Sequence, residues 1–102
     1  MPSKTDLIVI AVAKAKPGME QQMAKALRDV AAPTRAQKGL VSFALFRKTG
    51  DKSTIVGFEH WASRADHDKH LQGAHVQKLM GAMGPALAGP PDIVEYEVIE
   101  EA

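Results

Sequence analysis

Apolar positions along this chain change their spacing several times, and each change marks an element. Leu7 to Lys14 is β-branched and apolar on both faces, the pattern of a strand covered on two sides. After Pro17 and Gly18, Met19, Met23, Leu27 and Val30 recur at helical spacing. That spacing predicts a helix beginning near Pro17, where a proline's missing N–H costs little, with Pro33 as its kink or end. Gly39 opens a second strand, Leu40 to Lys48, and the turn-rich Thr49-Gly50-Asp51-Lys52-Ser53 returns the chain into a third, Thr54 to Trp61. These two form an antiparallel hairpin. Ser63 followed three residues later by Asp66 resembles a capping box with Asp in place of Glu, and predicts a short helix. Gly73 interrupts that helix, and Val76, Leu79, Met80, Met83 and Leu87 mark the buried stripe of another, stopped by Gly89-Pro90-Pro91. The last strand, Asp92 to Glu100, alternates Val94, Tyr96 and Val98 against Glu95 and Glu97, so one of its faces is partly wet.

The order βαββαβ predicts an α+β, ferredoxin-like fold, in which a four-stranded antiparallel sheet carries its helices on one face. Leu7 to Ala13 and Leu40 to Phe46 place apolar residues on both faces, yet the helices suffice for one. Apolar sheet of that extent left uncovered marks an interface, and a closed symmetric homodimer with sheets face to face buries it without more sequence. The other face is expected to enclose a small-molecule pocket beneath the His-rich helical segment.

Composition narrows the functional classes. The 102 residues fit one domain, taken as 1–102, with no room for separate cofactor and substrate modules. Apolar residues at 45% and charged residues at 25% are those of an ordinary globular protein. Thirteen Lys and Arg against twelve Asp and Glu give a net charge of +1, which argues against a nucleic-acid partner. The absence of cysteine removes disulfides, thiolate nucleophiles and Cys-ligated metals, and makes the cytoplasm the default location. Lys4 before the run Leu7 to Ala13 loosely imitates a secretory leader, but Asp6 interrupts the approach and Lys14 and Lys16 close the run. No stretch has the length of a membrane span.

The run Phe58-Glu59-His60-Trp61-Ala62-Ser63, followed by Asp68-Lys69-His70-Leu71-Gln72-Gly73-Ala74-His75, resembles the Glu-x-Trp and His-Leu-x-x-x-His signature of the antibiotic biosynthesis monooxygenase (ABM) domain. The strand ending in a Pro-Gly-led helix, and Thr34-Arg35-Ala36-Gln37-Lys38-Gly39-Leu40 leading into strand two, resemble the same family, so nearly the whole chain is covered. The resemblance implies a dimeric α+β barrel. It also implies one of several activities: quinol monooxygenase, polyketide-tailoring oxygenase, haem-degrading enzyme or isomerase.

Cofactor-free oxygenation needs an electron-rich phenol or quinol, a base to form its anion and a dry pocket, so no cofactor is expected. A histidine with its ordinary pKa near 6.5 suits that proton transfer. His70 is the first candidate for the base, since it matches the family's His, with Glu59 to orient it or to bond substrate. His75 is expected near the pocket mouth. Trp61 and Phe43 are candidate walls, although Trp61 equally suits core packing with its N–H satisfied. Phe43 and Phe46 lie on opposite strand faces, so one of them meets the pocket at most. Arg47, in register with Phe43, is a candidate for an anionic substrate oxygen. The plainer reading of His70 is a histidine bonded to a neighbouring loop. A metal site on His67 and His70 with Asp66 or His75 is weakly signalled, since His67 is expected to point outward among Asp66, Asp68 and Lys69. Haem fits poorly: the haem-degrading relatives carry Trp at about the place of His70 and a ligand His where this chain has Met80. Three functions remain: a cofactor-independent monooxygenase of a quinol or polycyclic phenol, an isomerase of a small oxygenated metabolite, and a non-catalytic dimeric binding module.

Overall fold

The computed structural model describes residues 6–100; Lys4, the charge ahead of the first apolar run, lies outside them. The described residues form β1 (Leu7–Lys14), α1 (Glu20–Arg35), β2 (Leu40–Arg47), β3 (Thr54–Trp61), α2 (Arg64–Leu71), α3 (Ala74–Met83), a short 3-10 turn (Gly84–Ala86) and β4 (Asp92–Glu97). Every neighbouring pair in the sheet is antiparallel, in the order β2-β3-β1-β4, so β3 and β1 sit at the centre and β2 and β4 at the edges. This is the ferredoxin-like α+β arrangement that the element order predicts. Among the described residues no helix is long and apolar enough to cross a membrane.

Local chemistry explains the starts of α2 and β2. Ser63 caps α2, its Oγ accepting the Asp66 N–H at 3.1 Å and donating to Asp66 Oδ2 at 2.9 Å. Gly39 enters β2 at φ +91°, and a Cβ there would come within 2.2 Å of the Asp66 carboxyl, so β2 and the start of α2 approach each other only because this residue is glycine.

Several boundaries differ from the sequence pattern. Gly18 takes φ +86° in a turn, so α1 begins at Glu20 and not near Pro17. Pro33 neither ends nor replaces the last turn: it lies inside α1, where the helix still closes through the Ala36 N–H to Ala32 O. The edge strand β4 stops at Glu97, three residues short of Glu100, where its pairing with β1 runs out at Leu7. In α3, Val76 and Met83 are buried but Met80 is exposed, and Leu87 lies past the helix, bridged to Ala15.

Strand register sorts the side chains between two faces. The face under the helices carries Leu7, Val9, Ala11 and Ala13 of β1, opposite Trp61, Glu59, Gly57 and Ile55 of β3. The core on this side has two parts. One joins Ala13, Met23, Ile55 and Met83; the other joins Leu7, Val9 and Trp61. The opposite face carries Ile8, Ile10 and Val12, opposite His60, Phe58 and Val56, with Ala44 and Phe46 on one flank and Val94 and Tyr96 on the other. No helix covers it in the described chain, and Phe46 is 56% exposed. At one end of this face His60 is buried with its Nε2 2.8 Å from Asp6 Oδ2.

Candidate functional site

A cavity of about 140 Å³ lies between the helix-bearing face and helices α1 and α3. Register accounts for it. Across the middle of the sheet runs the row Ile93, Ala11, Gly57, Leu45, and its two central positions contribute one methyl group and one hydrogen. The helices pack with Ala13 and Ile55 beside it and span the hollow. Leu27, Val30, Ile55, Leu79 and Met83 wall it, and the exposed Leu71, Met80 and Ile93 lie at its rim. Of the lining residues, Thr34, Glu59 and His70 alone carry polar side chains. An apolar cavity of roughly 150 Å³ takes one benzene-sized ring.

Glu59 and His70 meet because Glu59 is on the helix-facing side of β3 while α2 crosses the end of that strand. Glu59 Oε1 accepts the Trp61 indole N–H at 2.7 Å and stands 3.9 Å from His70 Nε2 and 4.0 Å from His67 Nε2. The His70 ring packs on Trp61 at 4.9 Å between centroids. Behind it, Nδ1 is 2.5 Å from Gln37 Oε1, which is also 2.9 Å from His75 Nε2. His70 is 5% exposed. Burial, with the neighbouring His75 and His67 rings adding repulsion, lowers its pKa to about 4, so the imidazole is neutral at neutral pH. The match to an ordinary pKa near 6.5, expected from the residue type alone, does not hold.

Each candidate residue now has a place. His70, Glu59 and Phe43 line the chamber. Trp61 does not: it is 0% exposed, packed on Leu7 and Val9 behind Glu59, with its N–H satisfied. His75 stands on the far side of His70, on an outer groove with Asp29 and Lys78, and not at the chamber's mouth. Arg47 shares the Phe43 face but is exposed at the strand end beside Ala24, Leu27 and Arg28, outside the chamber. Phe46 is on the open face. His67 is the clearest correction. It is buried at 6%, three residues before His70 on the same helix face and turned towards Trp61 and Glu59, while Asp68 and Lys69 occupy the outer face. Among the described residues, no group of three or more His, Cys, Asp or Glu is placed to hold a metal ion.

Two residues of the site are not among the sequence candidates. Gln37 follows α1 in a loop, and its partners are 33 and 38 residues further along the chain. Thr34 continues the buried stripe of α1 one turn beyond Val30, and the spacing itself is the signal that could have found it. It is 0% exposed, and its Oγ1 has no hydrogen-bond partner among the described residues.

A four-stranded ferredoxin-like domain with a mostly apolar chamber and a converging carboxylate and imidazole is the class these features define. Residues 6–82 match the family model described as antibiotic biosynthesis monooxygenase, and the chain belongs to that family. It is similar to YcnE of Bacillus subtilis, named as a proposed monooxygenase, with 28% identity over 94 residues that span 92% of this chain and 99% of that protein. Among solved structures it resembles Rv0793 from Mycobacterium tuberculosis, with TM-score 0.89, 27% identity and coverage of 95% of this chain and 98% of that one. PA3566 from Pseudomonas aeruginosa shares the fold with TM-score 0.89 at 24% identity, over 98% of this chain and 99% of that one.

Two stability measurements follow. An imidazole with a lower pKa folded than unfolded binds fewer protons in the folded state, so its contribution is intact above about pH 6.5 and is lost as pH falls towards 4. Thermal unfolding at pH 5 should lie below that at pH 7 by about 2 kcal/mol from His70, and His70→Leu should flatten the slope in that window. Thr34→Val removes a buried hydroxyl without a partner and nearly preserves its volume. It should raise stability by about 1 kcal/mol, read as a Tm several degrees higher.

Proposed function

We propose that the chamber oxygenates a single-ring quinol or phenol with molecular oxygen and without a cofactor, His70 Nε2 receiving the substrate's hydroxyl proton. The observation that carries this reading is the convergence of one neutral imidazole and one carboxylate, 3.9 Å apart, in the wall of an otherwise nearly apolar cavity. Apolar walls favour an aromatic ring. The cavity's volume favours one ring over a polycyclic skeleton. Burial that keeps His70 neutral also makes it a weak base towards a free phenol. Glu59 supplies the compensating charge, because its carboxylate stabilises the imidazolium as the proton arrives, and more strongly in a dry site than in water. The anion, stripped of water, passes electrons to oxygen. One oxygen atom enters the ring and the other leaves as water with two hydrogens from the substrate, so the substrate supplies both electrons.

We propose further that a second copy of the chain covers the open face. Apolar residues of all four strands line it, and a two-fold pairing of identical faces buries them in a closed assembly.

Oxygen uptake tests the chemistry. Hydroquinone should be consumed with uptake of one oxygen molecule per substrate, and His70→Ala should lower kcat by about a hundredfold or more. Unchanged turnover in that variant would remove the base, and proton exchange from solvent into substrate without oxygen uptake would identify an isomerase. Sedimentation should give twice the mass of one chain, and Phe46→Asp should return it to one. A wild-type mass of one chain would dismiss the pairing.

A further inference from the structure

Three polar atoms form a triangle behind the chamber wall. His70 Nδ1 lies 2.5 Å from Gln37 Oε1, His75 Nε2 lies 2.9 Å from the same oxygen, and the two ring nitrogens are 3.3 Å apart. Only some proton placements suit these distances. An amide oxygen 2.5 Å from a ring nitrogen meets either an N–H, which is attractive, or a lone pair, which is strongly repulsive. With Gln37 Oε1 facing both rings, the contact is attractive only when the His70 proton sits on Nδ1. A neutral imidazole carries one proton, so Nε2 is bare, and Nε2 is the nitrogen on the side of Glu59 and the chamber.

Without Gln37 the balance reverses. His75 Nε2–H, within reach of His70 Nδ1, would become its donor, hold Nδ1 as an acceptor and push the His70 proton onto Nε2. The chamber would then face an N–H that cannot receive a proton. Packing fixes the competing ring: a Cβ on Gly73 would come within 2.6 Å of His75 Cε1, so His75 keeps its place because residue 73 has no side chain.

We propose that Gln37 is a positioning residue that selects the His70 tautomer, turning the bare Nε2 to the chamber against the competing pull of His75. The proposal rests on the reading of His70 as the proton acceptor, but its central claim is tested without turnover. Long-range nitrogen–proton NMR of the ring nitrogens separates a protonated from a bare nitrogen. In the wild-type protein at pH 7, His70 should show a protonated Nδ1 and a bare Nε2. In Gln37→Leu the two should exchange character, with Tm changed little. In Gln37→Glu a carboxylate takes over as acceptor. The wild-type tautomer should return there, and with Glu59, His67 and His75 facing His70 as before, the new carboxylate should raise the pH at which Nε2 protonates, against the lowering by burial, His75 and His67. A wild-type His70 with its proton on Nε2, or a Gln37→Leu protein whose His70 keeps the wild-type tautomer, overturns the proposal; if Gln37→Leu does not fold, the wild-type and Gln37→Glu spectra decide it. Oxygen uptake separates the two readings. An exchanged tautomer with kcat down about tenfold or more at constant KM supports both. An exchanged tautomer with unchanged uptake keeps Gln37 as the selector and removes His70 as the base.

Discussion

The structure depends on volume missing from the middle of its sheet. Ala11 and Gly57 face each other across β1 and β3, under the span of two helices that pack with Ala13, Ile55 and their neighbours on one side, while Arg35 of α1 lies over Phe43 on the other. Protein interiors are close-packed, so a hollow survives only where side chains on several sides lack the length to fill it. A Cβ on Gly57 would meet only Leu45 Cδ2, at 3.7 Å, so nothing steric forbids a larger residue there. The glycine serves the space above it and not the backbone beneath it. Its backbone is ordinary strand; what it contributes is room for a ring.

Around that space the polar groups are arranged by burial and not by attraction at a distance. Trp61 occupies the angle between β3 and α2, and its indole N–H needs an acceptor, which Glu59 supplies from two residues earlier on the same strand face. That bond holds the carboxylate at the chamber wall. His67 and His70, three apart on α2, then lie against the same tryptophan, and the three rings gather beside Glu59, whose side chain is 20% exposed. A histidine in such a place becomes a better hydrogen-bond acceptor than proton carrier, since desolvation favours its neutral form. Any chemistry that asks it to hold a proton must supply the negative charge locally, and Glu59 is near enough to do so.

What was legible in the chain follows from the range of each interaction. β1 and β2 could be read because both faces are apolar and their flanks break sharply. The Ser63 cap could be read because donor and acceptor are three residues apart. That Phe43 and Phe46 point to opposite faces needs only the alternation of a strand, and the structure gives the chamber to Phe43. Failures have the opposite character. His67 was misplaced because its charged sequence neighbours suggested a solvated position, whereas on a helix its neighbours in space are three and four residues away. Thr34 was hidden behind Pro33, which reads as a stop although the helix continues through it. Gln37 is a loop residue whose meaning lies in two imidazoles more than thirty residues away. No local period records such a contact.

The two faces of the sheet are bound to each other by the same alternation. A one-residue slip of β3 against β1 would bring Gly57 and Glu59 to the open face and send Val56, Phe58 and His60 under the helices. The chamber would fill with a phenylalanine, and a carboxylate would interrupt the apolar open face. The hollow on one side and the continuous apolar surface on the other are therefore one property of strand register. A substitution that shifts register damages both together, whereas Gly57 and Phe46, on opposite faces, offer a way to alter one and leave the other intact.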